Sequence, residues 1–184
     1  MNTLELEHRF EEIYGKRAEH TYFAPGRVNL IGEHTDYNGG LVFPCALSFG
    51  TYLLIAKRED RQNRFSSVNM DRSYTANANP FEDKPTAWIK YPIGVMKEFA
   101  ERGSDVWGYD LLYYGNIPNG AGLSSSAAFE TLIGTILSYM YNDGEVTPIE
   151  IAKIGQYAEN EYFGKPSGLM DQTACAVGGV ITID

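Results

Sequence analysis

Leu6, Phe10 and Ile13 recur at helical spacing near the start of the chain. The pattern predicts an amphipathic helix over 3–14 that stops at Gly15. His20 to Ala24 reads as a short strand, and Pro25 to Gly40, rich in Gly, Asn and Asp, as an ordered loop. Thr51 to Ala56 is apolar and partly β-branched, and Phe65 to Met70 alternates, so both predict strands. Asn77 to Pro85 reads as a loop. Trp88, Val95 and Phe99 share one face of a helix over 87–101, with Pro92 disturbing its first turn. Tyr109 to Tyr114 predicts a strand leading into a Gly-rich stretch at 118–126, and a helix follows to about Tyr141. Thr147-Pro148-Ile149-Glu150 is a capping-box start with proline at the first helical position. That helix should run to about Phe163. Gly164 to Gly168 interrupts it, and a helix over 169–177 and a strand over 180–183 follow. Strands and helices do not alternate regularly, so the order predicts an α+β fold rather than a doubly wound sheet.

The 184 residues are near the size of one domain and can bury a real core. A formal net charge of -9 argues against a nonspecific nucleic-acid binder, which carries a basic footprint. It does not argue against binding ATP, because backbone donors and a metal ion can handle phosphate charge. The two cysteines, Cys45 and Cys175, match no metal-ligand spacing and suit a reduced, cytoplasmic setting. Met1 to Phe10 is too polar for a secretory signal, and no apolar run reaches bilayer length, so neither membrane nor nucleic acid is an expected partner.

Two segments carry candidate chemistry. Pro118-Asn119-Gly120-Ala121-Gly122-Leu123-Ser124-Ser125-Ser126-Ala127 lies between a predicted strand and a predicted helix. Its glycines permit close approach of a ligand, and unpaired N–H groups at the helix start favour an anion. Three serines add hydroxyls. No Gly-Lys-Ser/Thr follows, so this is not a Walker A loop and it offers no phosphate-binding lysine. A strand–helix turn with a polar cap would have the same composition. From Pro25 to Tyr37, seven polar or charged side chains surround three apolar ones. Arg27 donates, Glu33 and Asp36 accept, and His34 can do either, the mixture a polyhydroxylated sugar needs. A solvated polar loop is the plainer reading. A metal cluster in Glu33-His34-Thr35-Asp36 is weaker, because His8 and His20 show no partnering pattern.

Taken together, the two segments resemble the GHMP small-molecule kinases, and Gly26 to Tyr37 resembles the galactokinase signature almost without departure. A third matching stretch is Gly164-Lys165-Pro166-Ser167-Gly168-Leu169-Met170-Asp171-Gln172. The resemblance spans nearly the whole chain. It implies an N-terminal GHMP lobe over 1–184, with a mixed sheet packed against helices. It further implies ATP-dependent phosphorylation of galactose at its anomeric hydroxyl.

Carried over residue by residue, the resemblance makes Asp171 the base for that hydroxyl and places Arg27 beside it to stabilise transition-state charge. Glu33, His34, Thr35 and Asp36 fall within the sugar-binding signature, and Gly168 matches a backbone contact to the sugar. Gly120, Ala121, Gly122, Leu123, Ser124, Ser125 and Ser126 match the nucleotide phosphate loop. Ser67 matches a position near the nucleotide. Ser126 and Glu159 match Mg²⁺ ligands, although Glu159 could equally be an exposed helix glutamate. An arginine beside Asp171 favours its charged form and weakens it as a base, so an orienting role stays open beside the proton-accepting one.

Chains of this family are considerably longer. The expectation is therefore a fragment without the C-terminal lobe, with little kinase activity and an apolar face open to self-association. Two other readings share the motifs. One is a GHMP kinase for N-acetylgalactosamine or arabinose. The other is a non-catalytic galactose and ATP sensor, which the small Ala127 and Ala128 beside Ser126 argue against.

Overall fold

The structure, a computed structural model, describes residues 1–70, 72–76, 87–118, 120–162 and 164–184. The expected loop at 77–85 lies outside the described residues. The chain divides into two units. The first comprises Met1–Phe23, Tyr52–Lys84 and Trp107–Gly115, and the second Ala24–Thr51, Pro85–Val106 and Asn116–Asp184. The expected α+β class holds, with a mixed sheet and helices.

The first unit begins with helix α1, Thr3–Tyr14. Its start is a full capping box: the Asn2 side chain accepts from the Glu5 N–H, and the Glu5 carboxylate accepts from the Asn2 N–H, each at 2.9 Å. Five strands form one sheet in the order β1-β2-β5-β3-β4. These are β1 (His20–Asn29), β2 (Pro44–Lys57), β3 (Asn63–Ser67), β4 (Arg72–Ala76) and β5 (Tyr109–Gly115). The long strands β1 and β2 continue beyond this unit. β3 pairs antiparallel with β4 and parallel with β5. Leu6 and Phe10 from α1 join Leu54, Ala56 and Leu112 in one buried cluster.

The same unit holds an ionic knot. The fully buried Asp110 receives Arg58 Nη1 at 3.1 Å, Arg64 Nε at 2.5 Å and Lys16 Nζ at 3.0 Å. Burial alone would raise its carboxyl, but the bonds and charges of Arg64 and Lys16 hold it below the usual carboxylate value. Tyr14 donates to the Leu111 carbonyl at 2.7 Å, and burial pushes its phenol up to about 12.

The second unit holds α2 (Lys90–Glu101), α3 (Ser125–Tyr141), α4 (Pro148–Tyr157) and α5 (Met170–Val177). α3 packs on α2, α4 and α5 and is buried over most of its surface. Pro92 does not break α2, because it is the third helical residue, where the N–H has no partner in the helix. Thr147 and Glu150 close the expected capping box at the start of α4. That helix does not run on to 163 as an α-helix: Ala158–Tyr162 is a π-helical turn. The expected strand at 180–183 is reduced to two isolated bridges, Val42 with Ile183 and Cys45 with Val180.

β1 also corrects the sequence reading. Pro25 to Asn29 continues the strand, and the loop begins only at Leu30. β1 is the edge of the sheet, where a proline without an N–H breaks no ladder. Gly26 permits the close packing there, since a Cβ would stand 2.7 Å from the Leu123 carbonyl oxygen.

Candidate active site

Within the second unit, the end of β1, the loop after it, the Gly-rich loop and the start of α5 surround a cleft of about 480 Å³. Arg27, Glu33, His34, Asp36, Ala121, Gly122, Leu123, Glu159, Gly168 and Asp171 line it. A smaller cavity of about 240 Å³ is lined by Gly120 to Ser126 together with Arg27, Lys165 and Asp171. The three separated sequence motifs therefore converge.

Asp171 lies in the first turn of α5, where the helix dipole favours a negative charge. Arg27 Nε and Nη2 both reach its Oδ1 at 2.8 Å. The Arg27 Nη1 donates to the Gly122 carbonyl at 2.8 Å, so one guanidinium fixes both the carboxylate and the Gly-rich loop. Ser124 donates to the other oxygen, Oδ2, at 2.6 Å.

The loop after β1 is folded by its own side chains. Thr35 donates to the carbonyls of Gly32 at 2.6 Å and Leu41 at 2.9 Å. Its hydroxyl is thus committed to the loop, and it is not among the cleft-lining residues. His34 has a positive φ of 62°, and its Nδ1 lies 2.5 Å from the Tyr37 hydroxyl. Asp36 packs so tightly on Gly168 that a Cβ there would stand 1.9 Å from Asp36 Oδ2.

Ser126 donates to Glu159 Oε1 at 3.2 Å. Glu159 is 2 % exposed and stands on the π-helical turn, so it is not a solvated helix glutamate. Hydroxyl and carboxylate oxygens are the hard donors Mg²⁺ takes, two from the protein leaving room for phosphate oxygens and water. The Lys165 ammonium lies 3.2 Å from the same Glu159 oxygen, so a cation already suits this spot. Burial works against the charge of Lys165, yet Glu159 raises its ionisation above the ordinary value. Among the described residues no cluster of three or more His, Cys, Asp or Glu could hold a metal.

Ser67 lies at the end of β3 in the first unit, buried, its hydroxyl without a hydrogen-bond partner among the described residues. Ser125 lines the smaller cavity. Sequence reasoning missed three residues. Lys165 borders both cavities, although the loop itself offers no lysine. Gln172 donates to Glu159 Oε2 at 3.1 Å and Glu130 Oε2 at 3.4 Å. Burial first, then the charge of Glu159, pushes the Glu130 carboxyl well above its usual range. Lys165 and Gln172 stand inside the third motif, where the resemblance assigns roles only to Gly168 and Asp171. Glu130 gave no signal, being one glutamate in a helix.

Comparison with known proteins follows this geometry. Residues 8–57 match the galactokinase galactose-binding signature, and residues 90–179 match the GHMP kinases N-terminal domain. A galactokinase of Clostridium tetani is 47% identical over 179 residues, covering 97% of this chain and 46% of that protein. One from Lacticaseibacillus casei is 46% identical over 181 residues, with the same coverage. The chain thus spans about half the length of the curated relatives it matches. Among solved structures, Lactococcus lactis galactokinase complexed with galactose superposes with a TM-score of 0.91 at 36% identity. That match covers 98% of this chain and 48% of the other. Mevalonate kinase from Methanococcus jannaschii, at TM-score 0.74 and 23% identity, shares the fold.

Proposed function

The chain belongs to the galactokinases of the GHMP kinase superfamily, and from that we propose that it is the N-terminal lobe of an enzyme that transfers the terminal phosphoryl group of ATP to the anomeric hydroxyl of galactose. The observation that carries this reading is the convergence of Arg27 and Asp171 with Glu33, His34 and Asp36 in one cleft beside the Gly-rich loop. In this reading Glu33, His34 and Asp36 hold the sugar hydroxyls and Gly168 keeps room for Asp36. Asp171 receives or orients the anomeric O–H, and Arg27 offsets the charge that develops beside it. Phosphoryl transfer depends mostly on positioning and charge stabilisation, which suits a site built of fixed donors and acceptors.

In this reading the loop from Gly120 to Ser126 wraps the nucleotide phosphates through its backbone N–H groups, and Ser67 keeps the nucleotide-side role that the family resemblance implies. Ser126 and Glu159 are the residues that would hold Mg²⁺, which when bound neutralises charge on the phosphate oxygens. Lys165 adds a positive charge that the loop lacks. In this reading the enzyme works in the cytoplasm, a reducing setting that suits the free thiols of Cys45 and Cys175. Because these 184 residues span about half the length of the relatives they match, we expect them by themselves to turn over little and to self-associate.

The test is release of ADP by the full-length protein with galactose, N-acetylgalactosamine or arabinose, beside calorimetric binding of galactose and ATP. Galactose-dependent release is the expected result. Asp171→Asn should lower it by at least about 10²-fold, the lower range for a lost general base, while galactose still binds. Binding of both ligands without ADP release from any sugar would replace the kinase by a sensor. Robust turnover by the 184-residue chain alone would refute the fragment reading.

A further inference from the structure

Ser124 holds a backbone conformation that its side chain disfavours. Its φ and ψ are 61° and 45°, the left-handed region, whereas Gly120 and Gly122 in the same loop take positive φ as glycines. It is also the residue before α3, where a serine ordinarily turns its hydroxyl onto the N–H groups of the first turn. Here the hydroxyl makes no such cap. It is directed to Asp171 Oδ2 at 2.6 Å, and the residue is only 8 % exposed. A serine kept where glycine would fit better, and withheld from its usual partner, points to a use for the hydroxyl.

We propose that Ser124 is a positioning residue for Asp171 and not a ligand of the nucleotide phosphates. The proposal rests on the kinase reading of the cleft and assigns Ser124 a different role from its loop neighbours. Arg27 takes Asp171 Oδ1 from β1, and Ser124 takes Oδ2 from the start of α3. Two elements thus stop rotation of the carboxylate about its Cβ–Cγ bond. Oδ2 accepts one hydrogen bond from Ser124 and keeps lone-pair capacity for the sugar hydroxyl. Because Ser124 belongs to the Gly-rich loop, the direction of that lone pair follows the conformation of the loop.

Ser124→Gly separates this role from a structural one, because glycine relieves the backbone and removes only the hydroxymethyl group. In the full-length protein the expected result is an unchanged or higher Tm, with kcat lowered about 10- to 100-fold by misorientation. KM for ATP and the Kd of MgADP should stay within about twofold. In the 184-residue chain the ¹³C carboxyl resonance of Asp171, assigned by its loss in Asp171→Asn, should move in Ser124→Gly. An unmoved resonance, an unchanged kcat, or weaker MgADP binding with kcat preserved would each overturn the proposal. Absence of phosphorylation by the wild-type full-length protein would instead fell the kinase reading, leaving the contact to be decided by the resonance.

Discussion

Single atoms decide much of this site. Gly168 is the clearest case, because Asp36 occupies the place where any Cβ would stand. Gly168→Ala should displace Asp36 and weaken galactose binding at least about tenfold, the cost of one good hydrogen bond to a charged group, with little change for ATP. Calorimetry with each ligand measures both. The identities of Arg27, Glu33, His34, Asp36 and Asp171 were legible because they stand in long motifs. Their roles toward one another were not. Nothing in the one-dimensional pattern says that Thr35 would turn inward onto Gly32 and Leu41 while its neighbours line the cleft. Nor does spacing say which oxygen of Asp171 each partner takes. The Asp171 contacts join residues 47 and 144 positions apart, and those of Thr35, though local, depend on how the whole loop folds.

Helices and strands were legible where caps and periodicity agree. Thr147 starts α4 through a capping box that the sequence displays, and α1 begins where its apolar spacing predicts, with an Asn2 cap that the pattern does not single out. Pattern failed where tertiary context overrides composition. Pro25 and Gly26 look like loop residues but sit on an edge strand, where Pro25 breaks no ladder and Gly26 makes room for the Leu123 carbonyl. The π-helical turn at 158–162 likewise leaves no trace in apolar spacing. Its partner network supplies a test. Glu130 on α3 shares Gln172 of α5 with Glu159, and its raised ionisation means that the folded state holds a proton more tightly than the unfolded chain. The resulting stability is complete below the ordinary glutamate value of about 4.3 and is lost as pH rises toward the raised folded value. Glu130→Gln has no proton to lose. Over that window the stability difference between variant and wild type should therefore grow, at most by about 1.4 kcal/mol per pH unit. Denaturant unfolding from pH 4 to 8 would detect it, and parallel curves would contradict it.

For the molecule as a whole, fold class and family were readable because three motifs keep their order and spacing across the chain. Exposed surface was less so. Leu30, Ile31, Leu41, Phe43 and Val180 lie open in the second unit, near the bridges that join residues 42–46 to 180–183. Apolar surface of this kind favours association. Light scattering on the 184-residue chain should show a mass that falls on dilution, and a mass fixed at one chain throughout would exclude it. The division into units has its own consequence. Each unit is assembled from three separate stretches, so no single cut in the chain parts one from the other. Removing everything after residue 115 would spare the whole of the first unit and strip the second of 116–184, the stretch that carries Asp171. Neither unit can be inherited, exchanged or fused as a cassette. In recombination, natural or engineered, the two move together or at least one of them is damaged.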